Sequence, residues 1–404
     1  MELLRKLLAR RAVAPAWREI GLAAAAEREL GAILGFWQRE ASDAKGGFWP
    51  EWRGGPKRKG ASGALLTSRI LWTFSAAHWR SPGGGYLDMA RAAHADLQRF
   101  RDVEHGGLLW SIDARKGRRS ARKEIYGQAF GVFGLSEHFR ATGDAAALEQ
   151  AIAIYRLIEQ HGRDREQGGY FDSLEADWSG VRANGNPGPK SQNTMLHLME
   201  AYANLLQVWP DPGLRADLVA LIELFLDRIV DPSSHHLVMF LTPELEPATD
   251  RYSPGHDIEF SWLIVEAARV VGDAALAARV RETALAVAAA NLPSIEADGG
   301  ISYESGPSGI VDPHRAWWVM AEASVGFLNA FELSRDPAYR AAAERCWDYI
   351  ERYVIDRRGG EWFARVMPGG KPDRRAAKIG FWKCPYHNSR ACMEIAGRAG
   401  RLHR

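Results

Sequence analysis

Only three of the 404 residues are cysteine, Cys346, Cys384 and Cys392, an odd number at no metal-ligand spacing. That excludes a disulfide framework and a zinc knuckle, and it fits a reducing cytoplasm. An excess of one charge is also missing: 52 Lys and Arg stand against 50 Asp and Glu, and the formal charge is +2. With no block of like charges, the chain carries no electrostatic footprint for nucleic acid. Long apolar runs are absent too. Candidates such as Leu285 to Leu292 fall well short of the about 20 residues that a bilayer requires, so no membrane span is expected. The leader MELLRKLLARRAVAPAW has the Arg and Leu of a targeting peptide, but Arg5, Lys6, Arg10 and Arg11 interrupt any apolar core. It reads as an exposed lead into the first helix. No linker-like stretch divides the chain, which predicts one domain over residues 1–404.

What is present is a repeat. A Gly-Gly pair followed by bulky apolar residues recurs at Gly46-Gly47, Gly106-Gly107, Gly168-Gly169, Gly299-Gly300 and Gly359-Gly360. The double-length gap holds Ser233-Ser234-His235-His236-Leu237-Val238, which keeps the polar turn without glycine. With His235 as its anchor, the spacings are 60, 62, 67, 64 and 60, giving six units. Each turn is followed by a largely apolar helix and then an amphipathic one. In the second unit these run from Ile125 to Thr142 and on through Leu148, Ile154 and Ile158. Gly143-Asp144, Gly272-Asp273 and Arg335-Asp336-Pro337 separate the partners. The last unit supplies one helix, Pro385 to Arg398, and the N-terminal helix, about Pro15 to Glu40, has no partner ahead of it. Pairing these two closes an all-α ring, an (α/α)6 barrel of six helical hairpins, with the apolar helices inside and short β-hairpins at one end. An open solenoid of the same hairpins is the alternative.

Polar and aromatic residues gather where each inner helix starts. Arg69, Tyr126 with Gln128, Asn193 with His197, His256 with Asp257 and Glu259, Trp317 and Trp318 with Glu322, and Trp382 with His387, Asn388 and Arg390 recur in the same phase. In a ring they converge on one mouth, which makes a pocket there the candidate site. Glu259 follows His256 by three residues, a spacing suited to orienting the imidazole; Asp257 has the alternative role of a helix-start carboxylate. His197, His256 and His387 lie on three units at equivalent heights, and the other nine histidines read as surface residues. Three imidazoles could also ligate zinc, but their neighbours are carboxylate, amide and guanidinium groups, and no metal is expected. Trp318 and Trp382 suit the C–H face of a sugar, and a charge such as Arg69 at an inner-helix start needs a partner.

Together these residues resemble the N-acylglucosamine 2-epimerase family, and most closely its cellobiose 2-epimerase branch. The resemblance rests on Ser68-Arg69-Ile70-Leu71-Trp72-Thr73-Phe74, Asn193-Thr194 with Leu196-His197, Gly255-His256-Asp257-Ile258-Glu259, Trp317-Trp318 with Ala321-Glu322, and Phe381-Trp382-Lys383 with Pro385-Tyr386-His387-Asn388. It implies an isomerase that opens a reducing-end hexose and inverts C2 or moves the carbonyl to C2, with no metal or nucleotide cofactor in the chemistry. By that resemblance His256 and His387 are the catalytic histidines, and His197 opens the ring or contacts substrate. Trp318 and Trp382 stack on sugar, while Arg69, Tyr126, Asn193, Glu259 and Glu322 contact substrate or orient the bases. The chain departs from the branch at Ala316, Val319 and Met320, where the branch has His, Pro and Gln, and at Met195 and Glu124, where histidines are common. Free glucose or mannose is therefore as much expected as a disaccharide such as cellobiose, and the protein is expected to be a monomer or a homodimer. The chemistry allowed is proton transfer beside a carbonyl, with a neutral histidine removing the C2 proton to leave an enediolate that Arg69 stabilises. Glu259 is expected to hold the His256 tautomer. Glycan hydrolysis by two carboxylates and non-catalytic sugar binding are the competing readings.

Overall fold

Helix breakers and caps punctuate the chain as the repeat requires. The computed structural model describes residues 17–43, 46–57, 60–113 and 115–402; the leader and Pro15 lie outside them. After one turn at Trp17–Ile20, Gly21 at φ 83° breaks the expected first helix, and α1 runs Leu22–Glu40. The hairpins follow: α2 (Ala64–Arg80) with α3 (Tyr86–Leu97), α4 (Ile125–Thr142) with α5 (Ala145–Leu157), and α6 (Gln192–Leu206) with α7 (Pro212–Leu224). Then come α8 (Pro254–Val271) with α9 (Ala274–Asn291), α10 (Trp317–Ser334) with α11 (Pro337–Tyr349), and α12 (Tyr386–Leu402). Asp144, Asp211, Asp273 and Asp336 cap the outer helices α5, α7, α9 and α11, each carboxylate accepting a backbone N–H that the first turn leaves unpaired.

The even-numbered helices form the inner ring. Each packs on the next, α12 packs on both α10 and α2, and α1 lies against α12, so the ring closes through the two end helices. An open solenoid is excluded by that closure. Inner and outer helices differ in burial as their sequences predict: α2 is buried without interruption from Ala64 to Ala77, whereas α9 buries only one stripe, including Leu276, Val280, Ala284 and Val287.

The unit turns are equally regular. Six antiparallel bridges, Ser42 to Phe48, Arg101 to Leu108, Arg163 to Tyr170, Val230 to Leu237, Ile295 to Ile301 and Ile355 to Trp362, each close one turn. His235 takes φ 58°, the left-handed conformation that glycine occupies in the other units, which confirms it as the anchor of the fourth. The short strands do more than make hairpins. Lys123–Glu124 pairs with Ser173–Leu174, Lys190–Ser191 with Phe240–Leu241, and Arg315–Ala316 with Arg365–Met367. They sew adjacent units together just ahead of the inner helices. The strand that pairs with Arg315–Ala316 begins only at Arg365, because Trp362 is taken by the turn bridge.

Buried lysines lock these turns. Lys190 Nζ donates to Asp164 Oδ2 (2.7 Å) and to the carbonyls of Gly168 (2.7 Å) and Pro243 (2.6 Å). Lys378 does the same with Asp356 and the Gly360 carbonyl, both at 2.6 Å, and Lys123 with Asp102 and Gly106. The Lys123 and Lys190 side chains are wholly buried, so each ammonium depends on these acceptors for its solvation. Lys190 stands two residues before α6, and its clamp fixes where Asn193 enters the barrel mouth. Replacing it by methionine strands the Asp164 carboxylate and two carbonyls. Lys190→Met is expected to lower unfolding free energy by about 3–5 kcal/mol, read by denaturant titration; an unchanged midpoint would contradict the clamp.

Candidate active site

All six inner helices begin at one end of the ring, and their first turns line a cavity of about 770 Å³. Arg69, Tyr126, Asn193, His197, His256, Glu259, Trp318, Trp382 and His387 all line it, as the sequence places them; Glu322 lies beneath the floor. Trp318 is buried in the wall. Trp382 stands at the rim on the loop ahead of α12, 52% exposed.

The floor is a charge network centred on Arg390 of α12. Its guanidinium bonds Glu200 of α6 and the Tyr386 hydroxyl through one nitrogen, and Glu259 of α8 and Glu322 of α10, both at 2.7 Å, through another. Four inner helices are thus joined at one buried cation. Two imidazoles hang from the network. His197 Nδ1 lies 2.9 Å from Glu200 Oε2, and His387 Nδ1 lies 2.7 Å from Glu322 Oε1. Glu200 and Glu322 already accept from Arg390 and are placed to accept from the facing Nδ1–H as well, an arrangement that leaves each Nε2 basic. The Trp262 indole N–H donates to the other Glu322 oxygen at 3.0 Å.

These groups are strongly perturbed. Burial pushes the Glu259 carboxyl well above its usual range, reinforced by the neighbouring Glu322. Burial would also raise Glu200, but the Arg390 charge and then His197 overcome it and hold Glu200 at about 2. His256 is driven down to about 3, mainly by burial and then by His197. Burial likewise lowers His387 well below its ordinary value, with Arg69 and Arg390 adding repulsion. Both imidazoles are therefore neutral at pH 7.

His256 differs from the other two. Its Nδ1 is buried without a hydrogen-bond partner among the described residues, and the expected Glu259 partnership does not form: Glu259 turns to Arg390 and lies 3.7 Å from His387 Nδ1. The stronger pull of a buried guanidinium decides between them. What holds His256 is the Trp318 indole, 4.6 Å between ring centroids; Trp318 also packs on His387 at 5.7 Å. Arg69 lies over the Phe130 ring at 4.2 Å and bonds the Tyr126 hydroxyl and the Trp382 carbonyl.

Three further sequence expectations change. Asp257 faces away from the cavity, accepting from Leu237 N at 2.9 Å and pairing with His236, so it ties down the fourth turn. Gln128 clamps both backbone groups of Leu108 at 2.8 Å and belongs to the fold. Not all the other histidines are superficial: His138 is buried, and His314 lines the cavity, stacked on Tyr303. Sequence reasoning also passed over Glu200 as a partner for His197 and Arg390 as the hub, although each follows a singled-out histidine by three residues, the spacing of one helix face. Among the described residues, the ligand atoms of His197, His256 and His387 do not all come within 4.8 Å of one another, the separation reached by Glu259, Glu322 and His387. That trio is already bridged by Arg390.

Comparisons with known proteins identify the family. The family model for N-acylglucosamine 2-epimerase matches residues 47–391. A cellobiose 2-epimerase from Bacteroides fragilis is 38% identical over 378 residues, covering 90% of this chain and 96% of its own. The structure of the cellobiose 2-epimerase from Bacillus thermoamylovorans B4167 superposes with a TM-score of 0.87 at 37% identity, covering 93% of this chain and 99% of that one. A D-mannose isomerase shares the fold with a TM-score of 0.83 at 19% identity, over 92% of this chain and 97% of its own. The chain belongs to the N-acylglucosamine 2-epimerase family of carbohydrate isomerases.

Proposed function

We propose that the protein inverts C2 of a reducing-end aldohexose, passing the C2 proton between His256 and His387 through an enediolate. The observation that carries this reading is the pair of neutral imidazoles packed against one indole, Trp318, in the cavity. In the open-chain sugar the C1 aldehyde acidifies the C2 proton, and a neutral imidazole can accept it near pH 7. One histidine removes the proton and becomes an imidazolium that later releases it to solvent, while the other takes up a solvent proton and delivers it to the opposite face of the enediolate, so the charges balance and solvent hydrogen ends at C2. Return at C1 instead gives the ketose. Arg69 and Tyr126 are the donors available to the enediolate oxygens, whose charge grows during the step. His197, with Nδ1–H held by Glu200, keeps Nε2 free to carry the proton from the O1 hydroxyl to the ring oxygen as the sugar opens.

Two observations favour a disaccharide such as cellobiose over a free hexose. The main cavity adjoins a second of about 310 Å³, and Tyr126, Asn193 and Trp382 line both. The half-exposed Trp382 indole at their junction offers an apolar face to a second ring. The relatives that share a third or more of their residues with this chain are named for cellobiose. Hydrolysis fits less well, because Glu259 and Glu322 converge on one guanidinium nitrogen rather than facing each other across a bond.

Proton NMR in D2O with cellobiose, glucose and mannose is expected to show deuterium at C2 of the epimeric aldose, with cellobiose preferred. His256→Ala and His387→Ala should each lower turnover by about 10²–10⁴-fold while circular dichroism stays unchanged. Activity retained in either folded variant would overturn the two-base scheme. Deuterated ketose as the main product would replace epimerisation by isomerisation.

The depressed histidines also set the pH profile. Because both bases are neutral well below the ordinary histidine value of 6.5, protonation does not silence them until the pH falls far beneath it. Log kcat should stay flat from pH 8 to about 5.5. An acidic limb with its midpoint near 6.5 would contradict the desolvated bases.

A further inference from the structure

At the opposite end of the barrel, three helices bring together two imidazoles and a carboxylate that the proposed sugar chemistry does not use. His94 lies near the end of α3, His138 near the end of α4, and Asp144 is the cap residue of α5. His138 stands twelve residues beyond Tyr126 on the same helix, about 18 Å along its axis. We propose that His94, His138 and Asp144 form a binding site for a divalent transition-metal ion such as zinc.

Ligand atoms of the three residues all lie within 4.8 Å of one another. His94 Nδ1 and Asp144 Oδ2 are 3.5 Å apart, too far for a good hydrogen bond. It is close to the about 3.4 Å that separates two ligands of a tetrahedral ion with bonds of about 2.05 Å. The two imidazole centroids are 4.7 Å apart at an interplanar angle of 40°. Asp144 uses its other oxygen to accept from Ala146 N at 3.1 Å, which fixes the carboxylate. Ser75 of α2 lies 3.3 Å from His138 Nδ1, an outer partner that orients the ring and leaves Nε2 for a metal. The side chains of His94 and Asp144 are 19% and 36% exposed, so an ion can enter from solvent. Two imidazoles and one carboxylate with an open fourth position make a donor set for zinc rather than for calcium or magnesium. A bound ion would staple the first two hairpins together.

The test uses the tag-free full chain, dialysed against chelator and titrated with zinc alone, followed by calorimetry and by the visible spectrum of a cobalt titration. One zinc per chain is expected, with a tetrahedral cobalt spectrum and a raised Tm. His94→Gln and Asp144→Asn, at partly exposed positions where the fold and the cap survive, should each weaken zinc by at least the about 10–100-fold that loss of an outer partner costs. Turnover of sugar should stay unchanged in both. Absence of zinc binding at micromolar concentration would overturn the proposal, and so would binding of unchanged affinity in both variants, which would locate the ion elsewhere.

Discussion

A single buried guanidinium organises the cavity end of this barrel. Arg390 lies among Glu200, Glu259 and Glu322, each from a different inner helix, with Tyr386 from its own. A charge so deeply placed is tolerable only when fully paired, and three carboxylates around one guanidinium exceed its charge. Burial and the neighbouring Glu322 push the Glu259 carboxyl well above its usual range, which eases that excess. What remains is a rigid floor that fixes two imidazoles, His197 through Glu200 and His387 through Glu322. His256, held by an indole instead of a carboxylate, is the imidazole whose proton position the floor does not dictate.

The architecture explains why the floor can be built at all. Six helices starting at one level deliver polar side chains to it, and three of the turns ahead of them are locked by the buried lysines Lys123, Lys190 and Lys378. Capping aspartates reset the chain at the far end. Small positional errors in any unit would break a network whose bonds span four helices, so regular turns are a condition for the chemistry.

Much of this was legible in the sequence. The Gly-Gly period revealed six units because left-handed turns need glycine, and His235 was recoverable because its neighbours kept the turn's polar pattern. The apolar inner and striped outer helices followed from burial on both sides against burial on one. Helix ends were less legible: Gly21 breaks the first helix where apolar periodicity alone continues it, and α7 passes into a wider turn at Phe225–Ile229. Site positions were visible because each inner helix begins with residues that a barrel interior does not otherwise hold. Pairings were not. Glu259 stands three residues from His256 yet bonds Arg390, 131 positions away, because partners across a ring are set by the ring's radius and by competition among buried charges, which no local spacing records.

The central claim is that the floor keeps His387 uncharged with its proton on Nδ1 and Nε2 free to work. Nitrogen-15 NMR of the histidine-labelled protein reads this directly, with His387 assigned by comparison with His387→Gln. The account predicts a neutral Nδ1–H tautomer at pH 7 that persists to about pH 5. An imidazolium at pH 7, or a neutral ring protonated on Nε2, would contradict it.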